Sequence, residues 1–368
     1  MFIEIHILQN FSPSNLNRDD TGNPKDTDFG GVRRARISSQ CIKRAIRSEK
    51  IFSETTQVES GVRTRWMNRQ LAESLVSAGK DEQQAQDVAK AMAAQYIKMN
   101  KDHTSVLLYL SKQEVNSIQA RLLQEWDQVL PNLKDGKSPL IDQIAKDLFK
   151  KNKNRTGAPD IALFGRMLTN KPDFNIDAAC QVAHAISTHR VNMELDFFTA
   201  VDELSQDNES GAGMMGVIAF NSACFYRYAR IDWNLLLKNL DGDEELARRT
   251  VEGFLLSSLK AIPTGKQNSF AAQNPPDFVL GVLRQDGESW SLANAFEKPI
   301  SSDKEGGYLL KSIAALDQYW GRLVKVYGDG NLNTAVLSLD ENVVLTHLKD
   351  SVKENRKDWV TSLMTNLR

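Results

Sequence analysis

The chain has 368 residues, 41% of them hydrophobic and 25% charged, ordinary globular values that leave room for one large or two to three small domains and exclude global disorder, collagen-like repeats and low-complexity architecture. Its 46 Lys and Arg stand against 47 Asp and Glu, a net charge of -1, so a surface for a polyanion has to come from uneven placement of charge, not from an overall excess. No apolar run approaches the roughly 18 to 20 residues of a membrane span, and Met1–His6 lacks the basic and apolar regions of a signal peptide, so a cytoplasmic protein with no membrane partner is expected. Cys41, Cys180 and Cys224 are too far apart for a local zinc knuckle and read as small buried thiols.

In chain order, Ile3, Ile5 and Ile7 alternate with Glu4 and His6, the period of a strand with one buried face. A polar loop, Asn10 to Gly31, follows and closes on Phe29-Gly30-Gly31, where the glycines permit a tight turn or close backbone approach. From Gly61 to Phe149 the period changes to three and four residues, through Val88, Met92 and Tyr96, then Val115, Ile118, Leu122, Trp126 and Val129. That segment reads as an all-helical insertion, interrupted at Pro131, Gly136 and Pro139 before an amphipathic piece around Ile141, Ile144 and Leu148. Lys146 to Lys171 then carries seven cations against Asp147 and Asp160.

Strand-like runs at Leu195–Val201 and Val217–Ala229, separated by the polar loop Ser205–Gly216, predict a protruding hairpin. A helix over Glu244–Ile262, a strand over Phe278–Leu283 and a helix over Leu309–Tyr327 complete the pattern. The order β, α, helical insertion, β-hairpin, α, β predicts an α+β fold, a ferredoxin-like or RNA-recognition-like sheet with insertions.

The strongest local signal is Val32–Arg47. From Gly31 to Lys50 seven Lys and Arg face Glu49 alone. With a helix starting at Ser38 or Ser39, both good N-caps, an advance of about 100° per residue puts Gln40, Lys43, Arg44 and Arg47 on one face and Cys41, Ile42, Ala45 and Ile46 on the other. The apolar face can dock on a sheet while the cations, and the free N–H groups of the capped end, meet a phosphodiester backbone.

Other motifs carry less. Gly211-Ala212-Gly213-Met214-Met215-Gly216 spells the dinucleotide fingerprint, but a polar run precedes it and a strand follows, the reverse of what pyrophosphate binding needs. Gly265-Lys266 lacks the upstream glycine and the following Ser or Thr of a P-loop, and His184 and His189, five apart, miss the i, i+4 spacing of a helical metal pair, so core or capping histidines are expected. Asp19, Asp20, Asp26 and Asp28 offer hard oxygen ligands for Mg²⁺ and equally suit turns in a surface loop. Phe197-Phe198-Thr199 and Met167 are candidates either for core packing or for stacking on bases.

Taken in order, Asn15–Asp20, Phe29-Gly30-Gly31, Arg36–Gln40, Lys43-Arg44-Ala45, Asp160–Met167, Ala183–His189, Phe198–Asp202, Phe225–Ala229, Gly265-Lys266-Gln267 and Leu292–Lys298 resemble the CasC-type backbone subunits of type I-E CRISPR Cascade over nearly the whole chain. The resemblance implies a hand: palm at 1–60, 176–192 and 221–368, helical finger at 61–175, thumb hairpin at 193–220. It also implies that copies polymerise along a CRISPR guide RNA, beside other Cascade subunits, and present the guide to a target DNA strand. By position, Lys25, Ser38, Gln40, Lys43, Arg44, Arg47 and Arg166 would contact the guide, and Met167, Phe198 and Thr199 would wedge at a flipped nucleotide. No catalytic residue, metal or cofactor is implied, DNA cleavage falling to a separate helicase-nuclease. Related backbone subunits that cut target RNA with a loop aspartate make a metal-dependent ribonuclease at Asp26 the alternative.

Overall fold

Strand β1 (Phe2–Ser14) lies near the middle of an antiparallel sheet in the computed structural model of the protein, which describes residues 1–168, 171–200, 214–285, 287–302, 306–328, 332–341 and 343–367. The chain divides into two compact units, one formed by Met1–Phe52, Gln181–Ile231 and Phe254–Arg368, the other by Ser53–Cys180 and Asp232–Gly253.

The first unit holds the sheet. After β1 come β2 (Asp26–Phe29), β3 (Val32–Ile37), α1 (Ser39–Ser48), β4 (Ala185–Ser187), β5 (Glu194–Ala200), β6 (Met214–Asp232), α2 (Glu244–Lys260, which belongs to this unit from Phe254 on), β7 (Phe278–Arg284), α3 (Leu309–Tyr327), β8 (Leu332–Ser338) and α4 (Arg356–Thr365). The strand order is β8-β7-β1-β6-β4-β3-β2. Its centre, β7-β1-β6-β4, is the arrangement of a βαββαβ unit built from β1, α1, β4, β6, α2 and β7, the expected ferredoxin-like α+β fold. Register ties Phe2 to Arg284 and Leu8 to Phe278 across β1 and β7.

The sheet is covered on both faces, which corrects the expectation of one buried face. Ile5 and Ile7 meet Ile42 and Ile46 of α1 and Ser258 of α2 on one side. On the same side Gly281 of β7 lets α4 approach closely, since a Cβ there would lie 2.5 Å from Leu363. On the other side Leu8, Phe278, Leu280 and Val282 pack with Ile313, Leu316 and Trp320 of α3. Glu4 and His6 therefore sit in the interior instead of in water, and each has a partner. Arg284 Nε donates to Glu4 Oε1 at 2.8 Å and the Trp290 N–H to Oε2 at 2.9 Å. The Tyr226 hydroxyl accepts from the Leu292 N–H, leaving its own hydrogen for His6 Nδ1 at 2.9 Å. Burial, with the charge of Arg284, pushes His6 down to about 3.

The second unit is mainly helical, through Met67–Ser77, Glu82–Tyr96, Lys112–Gln124, Trp126–Val129, Pro139–Lys151 and Pro159–Phe164. The expected three- and four-residue stripes are its core: Val88, Met92, Tyr96, Val115, Ile118, Leu122, Trp126, Val129, Ile141, Ile144 and Leu148 are all buried in one cluster. It is not all-helical, because Val62–Thr64 pairs with Leu108–Leu110 and Met99–Asn100 with His103–Thr104. Ser138 caps the helix that Pro139 opens.

Arg166 belongs to this core. Its guanidinium, with the side chain 1% exposed, meets both Glu114 oxygens at 2.9 and 3.0 Å. It also donates to the carbonyls of Tyr109 and Phe174 and lies 3.5 Å from the Phe174 ring centroid. Met167 beside it is 83% exposed. Backbone bonds between Arg166 and Ile176 and a bond from the Leu168 N–H to Asn175 Oδ1 hold the strap from which Met167 projects.

Two outcomes follow from these buried charges. His6 is neutral when folded and takes a proton near pH 6.5 when unfolded, so the unfolded state binds more protons between pH 6.5 and 3. Stability should be insensitive to this group above pH 6.5 and fall by up to about 1.4 kcal/mol per pH unit below it. Urea denaturation at pH 7.5, 6 and 5 should show that slope, and an unchanged slope in His6→Gln would count against this origin. Arg166→Ala should cost about 3–5 kcal/mol by stranding Glu114, whereas Met167→Ala should stay within about 0.5 kcal/mol. Denaturation curves of the two variants compare them directly, and equal stability would refute the buried role of Arg166.

Candidate nucleic-acid interface

Helix α1 starts where the sequence places it. Ser38 is its N-cap, the hydroxyl accepting from the Cys41 N–H, and Ile42 and Ile46 are its buried residues. Gln40 and Arg44 are exposed and Lys43 and Arg47 half-buried on the outer side, so the amphipathic division of the sequence is realised. Cys41 is half-buried, in contrast to Cys180 and Cys224, which are buried as expected.

The start of α1 is fixed by distant acceptors. Asn17 Oδ1 takes the Ser38 N–H at 2.8 Å, and His184 Nδ1, just before β4, takes the Ser39 N–H at 2.9 Å. This is the capping role expected of one of the two histidines; His189 is buried, its Nε2 accepting from the Cys224 N–H. Lys25 is held between the Asn17 carbonyl and the Arg36 N–H. Its charge reaches both Cys41 and His184, and Arg36 adds to it at His184, whose partial burial and cationic neighbours hold the ring below its ordinary value. A groove of about 550 Å³ runs beside α1, lined by Asn17, Arg18, Asp20, Cys41, Arg44 and Gly265. Gly265 is required there, as a Cβ would lie 2.3 Å from the Leu16 carbonyl oxygen.

Not every cation of the Gly31–Lys50 segment points outward. Arg34 is fully buried and donates to the carbonyls of Phe29, Ser187, Phe296 and Glu297. Gly30, at the turn between β2 and β3, has φ +61° and passes so close to Glu297 that a Cβ would collide with its carbonyl. Arg33 pairs with Asp26 at 2.8 Å and with Asp28 at 3.6 Å, and Arg36 donates to the Asp26 carbonyl. Beyond these, the outer face of α1 carries Lys43, Arg44 and Arg47, with the charge of Lys25 near its start. Asp26, the focus of the nuclease alternative, opens β2 with its carboxylate on Arg33. Asp19 accepts from Thr21 and Asn23 and closes its own turn.

Phe198 and Thr199 lie on the β5–β6 ribbon, paired with Gly216 and Met215. Being consecutive, they face opposite sides. The Phe198 ring, 36% exposed, lies over Gly216, where a Cβ would come within 2.3 Å of it. Thr199 shares its face with Phe197 and Met215, each 76% exposed, and with Leu195 and Val217, also exposed. The connecting loop, with Gly211–Gly213 of the glycine hexad, falls outside the described residues.

In the first unit the structure therefore brings Lys25, Ser38, Gln40, Lys43, Arg44 and Arg47 to one end and face of α1, while Phe198 and Thr199 belong to the ribbon. Arg166 and Met167 belong to the second unit. Asn17 and His184 complete the helix start and carry no signal in charge or periodicity, since each acts through one polar atom, supplied from 21 and 145 residues away.

Residues 3–364 match the family model described as CT1975-like protein. Two solved chains are similar throughout. One, from a "CRISPR RNA-guided surveillance complex, pre-nicking", is 32% identical with a TM-score of 0.89 and 99% of each chain covered. The other, from a "CRISPR RNA-guided surveillance complex", is 27% identical with a TM-score of 0.78 and the same coverage. No curated protein matches the chain. A family match from one end of the fold to the other, on a sheet and helical insertion that carry the expected motifs in order, makes this chain a member of the CT1975-like protein family, of the CasC type.

Proposed function

We propose that the chain is a non-catalytic backbone subunit of a type I-E CRISPR surveillance complex. It binds guide RNA along α1, stacks on copies of itself in the cytoplasm beside other complex subunits, and presents the guide for pairing with a target DNA strand. The observation that carries this is the segregated outer face of α1, with Gln40, Lys43, Arg44 and Arg47 beside Lys25, in a chain alike over 99% of its length to subunits of RNA-guided complexes. Such a surface grips phosphates without reading bases, which suits a sheath that must accept any guide while base pairing supplies sequence.

Phe198 and Thr199 on the ribbon of the first unit and Met167 in the second are each proposed as nucleotide-wedge residues, the clamped strap around Arg166 holding Met167 outward. Arg166 serves this reading as a positioning residue, its Nε and Nη1 bonded to Glu114 and two carbonyls and its side chain buried. Copies meeting through two different surfaces build an open helix, which matches a linear guide.

Lys43→Glu with Arg47→Glu should abolish copurification of guide RNA while circular dichroism stays that of the folded chain. Arg44→Glu, at an exposed position, should lower retention and reduce the dependence of log affinity on log salt by roughly 0.7 for each single-strand phosphate that is no longer neutralised. Unchanged RNA content in both would sink the proposal.

A further inference from the structure

At the start of α1 the hydrogen-bonding capacity facing solvent is almost all donor. The Gln40 N–H and carboxamide have no partner among the described residues, and the ammonium of Lys25 and the guanidinium of Arg36 lie close enough to act on His184. His184 is exposed. Its Nδ1 is already an acceptor, because the Ser39 N–H points into it at 2.9 Å. A neutral ring with Nδ1 so used carries its hydrogen on Nε2. A protonated ring would set one N–H against another beside two cations and the positive end of a helix. The neutral tautomer is thereby fixed, and Nε2–H is a further donor without a partner among the described residues.

We propose that His184 is a contact residue of this surface, donating from Nε2 to a non-bridging phosphate oxygen of the bound RNA, alongside the Gln40 N–H and Lys25. This rests on the RNA-binding reading above and adds to the cations of that surface a neutral donor in a fixed orientation. Around His184 the charged groups are Lys25 from the loop after β1, Arg36 from β3 and the α1 terminus itself. The nearest carboxylate along the chain from Lys25, Asp26, is held by Arg33. An anion is the ligand such a set calls for, since a cation would meet only positive potential and a carbonyl would gain little from the surrounding charge.

Three full-length variants, each assembled with guide RNA, separate contact from mere positioning. His184→Asn keeps an acceptor near the Nδ1 position for the Ser39 N–H but has no donor at the ε position. His184→Gln restores a donor there, and His184→Ala removes both. RNA retention, read as the salt concentration that releases the guide and as the dissociation constant, should weaken about tenfold in His184→Asn and recover at least threefold in His184→Gln. The thermal midpoint of the RNA-free chain should be unchanged in His184→Asn. If His184→Asn holds RNA as tightly as the unaltered chain, or if Asn and Gln weaken it equally, the contact is refuted. The Lys43→Glu, Arg47→Glu chain run in parallel identifies which reading fails: RNA retained there overturns RNA binding by α1 itself, whereas RNA absent there but kept in His184→Asn overturns only the role of His184.

Discussion

The first N–H groups of a helix have no acceptor within it, and at α1 three of those at its start are met by side chains. Asn17 satisfies Ser38, His184 satisfies Ser39, and the Ser38 hydroxyl satisfies Cys41. Three stretches of chain are pinned to one point, and with them Lys25, which hangs between Asn17 and Arg36. The direction in which Gln40, Lys43, Arg44 and Arg47 face is set by that point together with the insertion of Ile42 and Ile46 against the sheet. The cationic face is therefore carried by a helix held by polar bonds at its start and by apolar insertion along its inner side.

Charge in this protein has two separate uses. Arg34, Arg166, Arg227 and Arg284 are buried and spend their donors on carbonyls, carboxylates or the Gln9 amide. They order loops and strands far apart in sequence at the cost of desolvation, one guanidinium nitrogen of Arg166 and of Arg284 being buried without a partner among the described residues, and burial draws Arg227 down to about 10. The cations of α1 lie on its outer face, Arg44 exposed and Lys43 and Arg47 half-buried. A near-zero net charge is the sum of these populations and the acids that offset them, and it describes neither one.

Much of this was legible in the sequence. The stripes from Val88 to Leu148 are periodic enough to give the helical core, and Ser38 followed by alternating apolar and basic pairs gives α1 with its faces. The α+β order followed from element order alone. What stayed hidden depends on contacts between distant residues. Counting treats Arg34 and Arg166 as surface charge, because nothing local reveals carbonyls of residues 296 and 297 or a carboxylate at 114. Glu4 and His6 mimic a solvated strand face because α3, which covers them, begins some 300 residues later. The short pairs Val62–Thr64 with Leu108–Leu110 and Met99–Asn100 with His103–Thr104 are too brief to show a period.

The register of β1 against β7 also constrains how the chain reaches its fold. Phe2 pairs with Arg284 and Leu8 with Phe278, so β1 lacks one central neighbour until the chain about 280 residues further on has been made. At about 5–20 residues per second that wait is on the order of tens of seconds, during which Ile3, Ile5 and Ile7 remain without their sheet. The helical core, whose buried residues lie between positions 67 and 174, closes over much shorter separations and can form while the strand waits. The interior polar groups of β1, Glu4 and His6, likewise gain their partners Arg284 and Tyr226 only after more than 200 further residues have been made.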